Sequence, residues 1–557
     1  DKIVQMNYDA IDAGAKQVVE VEVPESWKSC EDEGLFSPEV KGGKEDVVDF
    51  VKNIQTKVNA QEGNSLPVSA FNDYVDGSTP SGSSAYEKRG IAVDIPVWQE
   101  ENCIQCNRCA YVCPHAVIRP VALTEEELAK APEGTKAIDM IGMPGMKFTM
   151  TVSALDCTGC GSCANVCPGK KGEKALVMKS LEENVASQEV FDFGREIEVK
   201  PEVVAKFKPE TVKGSQFKQP LLEFSGACAG CGETPYAKLI TQLFGDRMYI
   251  ANATGCSSIW GNSSPSTPYT VNSKGQGPAW GNSLFEDNAE FGYGMLLAQK
   301  AIRKRLKEEV EAVAASDAAS ADVKAACQEY LDTFNCGVSN GDASDKLVAA
   351  LDGCDCDTCK DIVKNKDFLA KKSQWIFGGD GWAYDIGFGG VDHVLASGED
   401  INVMVFDTEV YSNTGGQSSK ATKTGATAQF AAGGKETKKK DLAGIAMSYG
   451  YVYVAQIAMG ADFNQTVKAI AEAEAYPGPS LIIAYAPCIN HGIKKGMSKA
   501  QTEEQLAVEC GYWNNFRFNP AAEGAKFTLD SKEPKQEDYQ AFLDGEVRYN
   551  ALKRANP

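Results

Sequence analysis

The fold of the first third of this chain is determined by the stretch Cys103-Ile-Gln-Cys106-Asn-Arg-Cys109-Ala-Tyr-Val-Cys113-Pro114. The same spacing returns in Cys157-Thr-Gly-Cys160-Gly-Ser-Cys163-Ala-Asn-Val-Cys167-Pro168. Each stretch places three cysteines close together and a fourth beside a proline. Cysteines at such short spacings form metal-binding loops, and the repeat indicates two similar sites.

This repeated spacing is typical of α+β domains that hold two [4Fe–4S] clusters, where the fourth cysteine of each motif ligates the other cluster. A disulfide or a zinc site is the alternative, but zinc sites do not normally repeat a third cysteine and a proline. The motifs therefore predict two crossed ligand sets, which are Cys103, Cys106, Cys109 and Cys167, and Cys157, Cys160, Cys163 and Cys113.

The composition limits the classes of function. A length of 557 residues favours two to four domains, and the net charge of −21 argues against binding to nucleic acid or to an anionic membrane surface. No apolar run is long enough to span a bilayer. The 19 cysteines are clustered, which favours metal binding in a reducing cytoplasm. Because the chain opens with Asp1 rather than Met, we expect it to be a piece of a longer polypeptide.

Three segments follow from the patterns along the chain. They are a mixed segment at 1–97, a ferredoxin-type domain at 98–190, and an α/β domain with a mainly parallel sheet at 191–557, interrupted by a helical insertion at about 301–372. In the first segment we predict strands at 19–23 and 91–95 and a helix at 47–54.

Four apolar runs in the third segment predict buried parallel strands, at 248–251, 374–377, 402–406 and 480–485. A helix is predicted at 295–313, and the Gly-, Ser- and Pro-rich stretch 261–281 predicts a functional loop. Because ligands bind beyond the carboxyl ends of parallel strands, we expect a site where these runs end.

One strand end carries Gly379-Asp380-Gly381, and the next carries Thr408 and Val410. The Asp380 carboxylate, the Thr408 hydroxyl and the Val410 carbonyl are hard oxygens of the kind that Mg²⁺ prefers. The glycines allow the backbone to approach a diphosphate. The same glycines are equally compatible with an ordinary turn, so both interpretations stay open at this point.

Cys228 and Cys231 form a further Cys-x2-Cys motif, and Cys256 and Cys488 each follow a predicted strand. If these strands share a sheet, the four thiolates face one crevice and hold a third [4Fe–4S] cluster. A redox dithiol at Cys228 and Cys231 is the alternative.

The remaining cysteines carry weaker signals. Cys30 and Cys510 are expected to be buried thiols, whereas the helical insertion contains Cys327, Cys336, Cys354, Cys356 and Cys359. The Cys354-x-Cys356-x2-Cys359 spacing is compatible with a metal, a disulfide or free thiols. Of the three histidines, His115 is expected at the surface.

Two groups of basic residues are candidate binding surfaces. For both, the alternative is that the side chains are simply solvated. Near the cluster motifs, the candidates for docking an acidic carrier are Lys88, Arg89, Arg108, Arg119, Lys170 and Lys171. The candidates for contact with the phosphates of coenzyme A are Lys435, Lys438, Lys439, Lys440, Lys494, Lys495 and Lys499.

Taken together, these motifs resemble pyruvate:ferredoxin oxidoreductase over essentially the whole chain. Besides the two cluster motifs, the resemblance rests on Ala85-Tyr-Glu-Lys-Arg-Gly90, Cys228-Ala-Gly-Cys-Gly-Glu-Thr-Pro-Tyr236, Ala253-Thr-Gly-Cys-Ser-Ser258, Gly378-Gly-Asp-Gly-Trp382 and Asp407-Thr-Glu-Val-Tyr-Ser-Asn-Thr-Gly-Gly416. The family's long form begins with further domains, so we expect this sequence to correspond to its carboxy-terminal portion.

The resemblance implies roles for matching residues. Asp380, Thr408 and the Val410 carbonyl are implied to bind Mg²⁺, and Asn413 to approach the reacting carbon. The residues implied to line thiamine diphosphate are Glu233, Thr254, Cys256, Gly379, Asp380, Gly381, Trp382, Thr408, Glu409, Val410, Tyr411, Ser412 and Asn413. The third cluster is implied to use Cys228, Cys231, Cys256 and Cys488.

The implied activity is oxidative decarboxylation of pyruvate to acetyl-CoA and CO₂, with single electrons passing through three [4Fe–4S] clusters to ferredoxin or flavodoxin. Because one half of the family's thiamine site lies in the missing domains, we expect this chain to need an amino-terminal part or a separate subunit, and complete units to form a dimer. Two alternatives stay open, which are another 2-oxoacid:ferredoxin oxidoreductase and an electron-transfer module without thiamine chemistry.

Overall fold

A computed structural model describes residues 2–30, 40, 43–263 and 266–555. The chain divides into two compact units, Asp1–Lys41 and Gly42–Pro557. In the first unit the described residues form one helix, Lys2–Lys16, and a 3₁₀ turn, Glu25–Ser29. The strand predicted at 19–23 is wrong, because these residues belong to no strand and their valines are exposed. An isolated alternating stretch has no neighbouring strand to satisfy its backbone.

The helices are numbered in chain order as α1 (Lys2–Lys16), α2 (Glu45–Phe50), α3 (Thr56–Asn59), α4 (Arg108–Tyr111), α5 (Glu125–Leu128), α6 (Ser162–Val166), α7 (Leu181–Asn184), α8 (Ser187–Glu196), α9 (Pro201–Phe207), α10 (Val212–Ser215), α11 (Thr234–Phe244), α12 (Cys256–Ser258), α13 (Asn288–Ala315), α14 (Ala321–Thr333), α15 (Asn340–Leu351), α16 (Asp357–Lys364), α17 (Phe388–Ala396), α18 (Leu442–Met447), α19 (Phe463–Ala475), α20 (Ala500–Glu509), α21 (Tyr539–Asp544) and α22 (Val547–Ala555).

The strands are numbered in the same way as β1 (Asp94–Trp98), β2 (Ile118–Leu123), β3 (Ile138–Asp139), β4 (Lys147–Val152), β5 (Leu176–Ser180), β6 (Met248–Ala253), β7 (Ala279–Ser283), β8 (Ser373–Gly379), β9 (Asn402–Asp407), β10 (Val410–Tyr411), β11 (Gln417–Ser418), β12 (Tyr453–Ile457), β13 (Ser480–Tyr485), β14 (Phe516–Phe518) and β15 (Phe527–Leu529).

A mainly parallel sheet organises the second unit, which confirms the predicted fold class. Within the described residues, eight strands lie in the order β15-β14-β12-β13-β9-β8-β6-β7. The strands from β12 to β7 are parallel, whereas at one edge β14 pairs antiparallel with β12 and β15 pairs antiparallel with β14. All four predicted strands exist, as β6, β8, β9 and β13, and they are direct neighbours. The predicted loop 261–281 was partly wrong, because its end enters β7 (Ala279–Ser283).

Alternating residues of the central strands pack into two hydrophobic cores, one on each face of the sheet. Ile376 and Val403 point into the core that contains α13, α17 and α18. Trp375 and Met404 point into the opposite core, which contains α11 and α19. Burial on both faces explains why these strands read as continuous apolar runs.

The segment predicted as a helical insertion consists of helices that have their own core. The carboxy-terminal half of α13 packs with α14, α15 and α16 around buried side chains that include Leu306, Tyr330 and Leu347. The predicted helix at 295–313 is part of α13, and the predicted helix at 47–54 is α2 with the π-helical turn that follows it, Val51–Gln55.

The cluster motifs lie in a small α+β region. β1 pairs antiparallel with β5, and β2, β4 and β3 form a second antiparallel sheet between the two motifs. The strand predicted at 91–95 is displaced to Asp94–Trp98, where it pairs with β5.

Candidate thiamine and iron–sulfur site

The ends of β6, β8, β9 and β13 place the predicted site residues along one edge of the sheet. Asp380 follows β8, Thr408 follows β9, Cys256 lies three residues after β6 and Cys488 three residues after β13. Because these strands are adjacent and parallel, their ends form one crevice.

Three oxygen atoms meet between the ends of β8 and β9. The Thr408 hydroxyl lies 3.0 Å from Asp380 Oδ1 and 3.0 Å from the Val410 carbonyl oxygen. The Thr408 backbone amide donates to the same Asp380 oxygen at 3.1 Å. A carboxylate, a hydroxyl and a carbonyl at this separation are a donor set that fits Mg²⁺, which prefers hard oxygens and keeps other positions for phosphate and water.

Buried acidic groups surround this oxygen set. Burial and the neighbouring Asp407 carboxylate raise the pKa of Asp380 well above its usual range. Lys439 pairs with Asp407 at 2.7 Å and with Glu409 at 3.1 Å. Asp380 has no ion pair of its own among the described residues. A bound divalent cation would supply the positive counter-charge that the Asp380 carboxylate lacks.

Glu409 lies deeper in the same network. Arg548 pairs with its carboxylate at 2.8 Å, and the Tyr512 hydroxyl also donates to it. Although burial alone would raise the pKa of Glu409, the cations Lys439 and Arg548 hold it well below its usual range. The side chain of Glu409 is therefore fully engaged within the protein.

His491 holds the backbone at Thr408, a contact that sequence reasoning missed. Its Nε2 donates to the Thr408 carbonyl oxygen at 2.7 Å, and the ring is fully buried. Burial lowers the pKa of His491 to about 3, so the imidazole is neutral. A neutral ring positions the loop without adding charge beside the oxygen set.

Gly381 is required by close packing. A Cβ atom built there would lie 2.4 Å from Cδ1 of Tyr411. By contrast, a Cβ built at Gly379 would meet only the Phe406 carbonyl oxygen, at 3.9 Å. Gly379 thus borders open space, whereas Gly381 leaves room for the Tyr411 ring.

The other predicted thiamine-site residues differ in exposure. Glu233 is buried and accepts a hydrogen bond from Trp260 Nε1 at 2.9 Å, and burial raises its pKa to about 7. Thr254 is exposed and donates to the Ser283 carbonyl at 2.8 Å. Trp382 is buried, whereas Asn413 is exposed to solvent.

The segment that carries Asn413 also contacts the third set of cysteines. Ser412 Oγ lies 3.2 Å from Cys256 Sγ. Asn490 donates both to the Ser412 carbonyl, at 3.3 Å, and to Cys488 Sγ, at 3.6 Å. The magnesium-type oxygen set and these cysteines therefore belong to one continuous site.

All four cysteines of the predicted third cluster are brought together. Burial and then the Glu233 carboxylate raise the pKa of the Cys231 and Cys256 thiols, and Cys488 and Cys228 act on Cys256 as further neighbours. The Glu233 backbone amide donates to Cys231 Sγ at 3.4 Å. The juxtaposition predicted from the strand ends is thus observed.

The two ferredoxin-type motifs cross as predicted. A cavity is lined by Cys103, Cys106, Cys109 and Cys167. Burial raises the pKa of Cys157 to about 12, and among the neighbouring thiols Cys113 adds most to this increase. Cys113 acts on Cys160 and Cys163 in the same way.

The spacing of these thiols argues against zinc. A single zinc ion with bonds of about 2.3 Å draws its sulfur ligands to within about 3.8 Å of one another. In the part of the chain that the structure describes, only Cys354, Cys356 and Cys359 form a group of three ligands within 4.8 Å. The predicted cluster ligands are spread more widely, as a multi-iron cluster requires.

All three cysteine loops share a backbone feature. The second residue after the first cysteine has a positive φ in each loop, with 54° at Gln105, 69° at Gly159 and 76° at Gly230. Gln105 and Gly159 donate their amides to the sulfur atoms of Cys103 and Cys157 at 3.4 Å. Amide donors of this kind stabilise negatively charged sulfur ligands.

The three sets form a row from the crevice to the surface. The backbone of Gly230, in the third set's loop, hydrogen-bonds to Cys160. Cys109 is in turn a neighbour of Cys163. Cys106 then borders a surface groove, whose lining residues include Ile104, Arg108, Lys213 and Phe463.

Several basic residues predicted near the clusters are not free. Arg119 is half-buried and pairs with Glu223, Lys88 pairs with Asp156 at 2.7 Å, and Arg89 pairs with Glu87. Arg108, Lys170 and Lys171 are exposed. Lys213, which the sequence analysis missed, lies beside Arg108 because α10 packs against α4.

Other predictions about single residues need correction. His115 is buried rather than at the surface, and its Nδ1 donates to the Ser225 carbonyl at 3.1 Å. Cys30 is exposed, whereas Cys510 is buried as expected. Lys439 is half-buried and pairs with Asp407 and Glu409, so its charge is engaged within the protein.

Three family models match successive parts of the chain. The EKR domain, a domain of unknown function, matches residues 39–92. A 4Fe-4S dicluster domain matches residues 102–171. The C-terminal TPP-binding domain of thiamine pyrophosphate enzymes matches residues 366–484. The predicted cluster domain and thiamine domain are therefore confirmed.

Relatives match the chain along its full length. A pyruvate-flavodoxin oxidoreductase of Enterobacter agglomerans is 56% identical over 100% of this chain and 47% of its own length. A pyruvate:ferredoxin oxidoreductase of Moorella thermoacetica is 55% identical with the same coverage. Along its whole length the chain is therefore similar to pyruvate:ferredoxin and pyruvate-flavodoxin oxidoreductases. It spans about half the length of these relatives.

A less similar relative carries a different name. A mitochondrial pyruvate dehydrogenase [NADP(+)] of Euglena gracilis is 46% identical over 100% of this chain and 30% of its own length. A solved 2-oxoglutarate:ferredoxin oxidoreductase from Magnetococcus marinus covers 60% of this chain, at 14% identity and a TM-score of 0.30, which establishes no common fold. Among the described helices of this chain, none has the length and apolar character that a membrane span requires.

Proposed function

We propose that this chain is the cluster- and thiamine-binding part of a pyruvate:ferredoxin or pyruvate:flavodoxin oxidoreductase. The complete enzyme would convert pyruvate and coenzyme A to acetyl-CoA and CO₂. The observation that carries this proposal is the contact of Ser412 with Cys256, at 3.2 Å, within four residues of the Thr408 oxygen set. A thiamine site and a cysteine cluster that touch are what decarboxylation coupled to single-electron transfer requires.

We assign Mg²⁺ to Asp380 Oδ1, Thr408 Oγ1 and the Val410 carbonyl. The proposed contacts to thiamine diphosphate come from Glu233, Thr254, Cys256, Gly379, Asp380, Gly381, Trp382, Thr408, Glu409, Val410, Tyr411, Ser412 and Asn413. Because the Glu409 carboxylate is engaged by Arg548 and Lys439, we expect Glu409 to contribute through its backbone. When bound, thiamine diphosphate supplies the electron sink for loss of CO₂.

Asn413 is the proposed catalytic residue of this chain. Its side chain is exposed at the open end of the segment that begins at the oxygen set and passes the cysteines. Since its neighbour Ser412 is fixed by Asn490, the amide of Asn413 is positioned to donate to a substrate carbonyl or carboxylate.

Three [4Fe–4S] clusters are proposed for the three sets of cysteines, giving about twelve irons per chain. The innermost set is Cys228, Cys231, Cys256 and Cys488, the middle set is Cys157, Cys160, Cys163 and Cys113, and the outermost set is Cys103, Cys106, Cys109 and Cys167. A row that starts at the crevice and ends at the surface suits transfer of single electrons to an external protein.

The proposed electron acceptor is a ferredoxin or flavodoxin that docks beside the outermost set. Ile104 is 43% exposed, and Arg108 and Lys213 line the same groove. A chain with net charge −21 repels an acidic carrier at long range, so a local basic patch is needed for docking.

Turnover is proposed to require the part of the relatives that lies outside this chain's match, on the same polypeptide or on another subunit. We further propose that complete units form dimers and work in the reducing cytoplasm, where 19 thiols stay available for clusters. The division at 1–97, 98–190 and 191–557 is also kept as a proposal.

The test is anaerobic purification of the chain, with and without the missing part of its relatives. We expect about twelve irons and one thiamine diphosphate per complete unit, and pyruvate- and CoA-dependent reduction of a viologen dye only in the complete unit. Full turnover by the chain alone, or absence of thiamine diphosphate from the complete unit, would contradict the proposal. If a longer 2-oxoacid reacted faster than pyruvate, that 2-oxoacid would be assigned as the substrate instead.

A further inference from the structure

Cys354, Cys356 and Cys359 form a compact thiol group at the corner between α15 and α16, outside the site described above. Their three sulfur atoms lie within 4.8 Å of one another. Within the described residues no other group of three or more cysteine, histidine or carboxylate ligands is as compact. This corner belongs to the core of the helical insertion, not to either core of the parallel sheet.

The local backbone builds this group. Gly353 has a φ of +75°, which reverses the chain directly after α15, and the Cys354 amide donates to the Leu351 carbonyl at 3.1 Å. Cys356 is the N-cap of α16, and its sulfur accepts a hydrogen bond from the Cys359 amide at 3.2 Å. The Cys356 and Cys359 sulfur atoms are 2.9 Å apart.

The three thiols differ in burial in a way that leaves one open side. Cys359 is 3% exposed and packs into the insertion core, Cys354 is half-buried, and Cys356 is exposed. A metal ion held here would have protein on one side and water on the other. Its fourth position would therefore be taken by water or by a ligand from solution.

We infer that Cys354, Cys356 and Cys359 bind one soft divalent ion of the zinc class, with an exchangeable fourth position. Thiolates on a tetrahedral zinc lie about 3.8 Å apart, which small side-chain rotations of this group reach. Soft thiolate ligands select such ions over Mg²⁺ or Ca²⁺. A disulfide between Cys356 and Cys359 would use two thiols and leave Cys354 without a role, whereas a metal uses all three.

The bound ion would fasten the end of α15 to the start of α16. The intervening turn is short, and Cys356 is the only one of the three whose sulfur accepts from the α16 backbone. Three bonds to one ion would hold this corner more tightly than these contacts do. This metal site is independent of the proposed enzymatic function, so the two proposals are tested separately.

The test uses the full chain, purified anaerobically with its clusters assembled and dialysed against zinc buffered by a chelator. Metal analysis is expected to give about one zinc per chain. The single variants C354S, C356S and C359S are expected to bind zinc at least tenfold more weakly. C336S is the matched control, because Cys336 is exposed in the same insertion and stands outside the group. Iron content should be equal in all five proteins.

Zinc-edge X-ray absorption on the unmodified chain tests the site without any variant. Three sulfur ligands at about 2.3 Å and one lighter ligand are expected. Absence of zinc from the unmodified chain, retention of zinc by the three variants at the level of C336S, or a Cys356–Cys359 disulfide in the anaerobic protein would each overturn the inference.

Discussion

Thr408 and Asp380 are joined twice, because the Thr408 amide and hydroxyl both lie within 3.1 Å of one carboxylate oxygen of Asp380. The two residues are 28 positions apart and stand at the ends of neighbouring strands. The remaining carboxylate oxygen accepts from Ser419 Oγ at 2.5 Å. This arrangement fixes both oxygens of a buried carboxylate that carries no ion pair among the described residues.

Replacing Asp380 with Asn should abolish tight binding of thiamine diphosphate with Mg²⁺. The amide keeps the shape of the side chain but removes the charge that attracts the cation, so we expect affinity to fall at least ~100-fold, or about 2.7 kcal/mol. Anaerobic calorimetric titration measures it in the complete unit. D385N is the matched control, since Asp385 lies on the same segment and pairs with Lys420 nearer the surface. Equal affinities of D380N and D385N would refute the magnesium assignment.

The crossing of the two cluster motifs predicts a specific pattern of iron loss. C167S should lose the four irons of the cluster that Cys106 also ligates, so C167S/C106S should lose no more than C167S alone. C167S/C160S should lose about eight irons, because it damages both clusters. Iron analysis and low-temperature electron paramagnetic resonance measure the result. If C167S/C160S lost only four irons, Cys167 would belong with its own motif.

Charge reversal at the surface groove should slow electron transfer to an acidic carrier. R108E and K213E are expected to lower the association rate at low ionic strength by about tenfold each, with the difference shrinking in high salt. Stopped-flow oxidation of the dithionite-reduced protein by ferredoxin measures this rate without pyruvate turnover. K346E is the control, because Lys346 is exposed on the helical insertion. Viologen rates should be unchanged in all variants.

Glu504 should make stability depend on pH. Burial raises its pKa to about 8, and it accepts hydrogen bonds from the Gly460 amide at 2.6 Å and Tyr236 Oη at 3.2 Å. Between about pH 4.5 and 8 the folded state keeps a proton that the unfolded state has lost. Stability from this group is therefore full below that window and falls through it by up to about 1.4 kcal/mol per pH unit.

E504Q should remove that slope while keeping an oxygen that accepts the same hydrogen bonds. Thermal unfolding midpoints of E504Q and the unmodified chain, compared across pH 5 to 8 at one scan rate, measure the difference. E509Q is the matched control, because Glu509 is exposed on the same helix. Parallel pH curves for the unmodified chain and E504Q would show that Glu504 is already ionised in the folded protein.

The spacing of the cysteines was enough to predict the cysteine sets, and continuous apolar runs were enough to predict the four central strands. A metal-binding loop is a local structure, and a strand buried on both faces must be apolar along its length, so both leave a direct signal in the sequence. The oxygens of Asp380, Thr408 and Val410 were predictable for the same reason, since each follows such a strand.

Tertiary structure alone decided which groups meet across the molecule. Nothing local distinguishes Lys439 from its neighbours Lys438 and Lys440, yet only Lys439 pairs with the buried Asp407 and Glu409. No sequence pattern indicates the role of His491, because its contact with the Thr408 carbonyl forms only in the folded protein. The order of strands in the sheet, which brings Cys256 and Cys488 to one crevice, depends on packing between distant segments. Sequence therefore determined the ligands and their local loops, and long-range packing determined their partners.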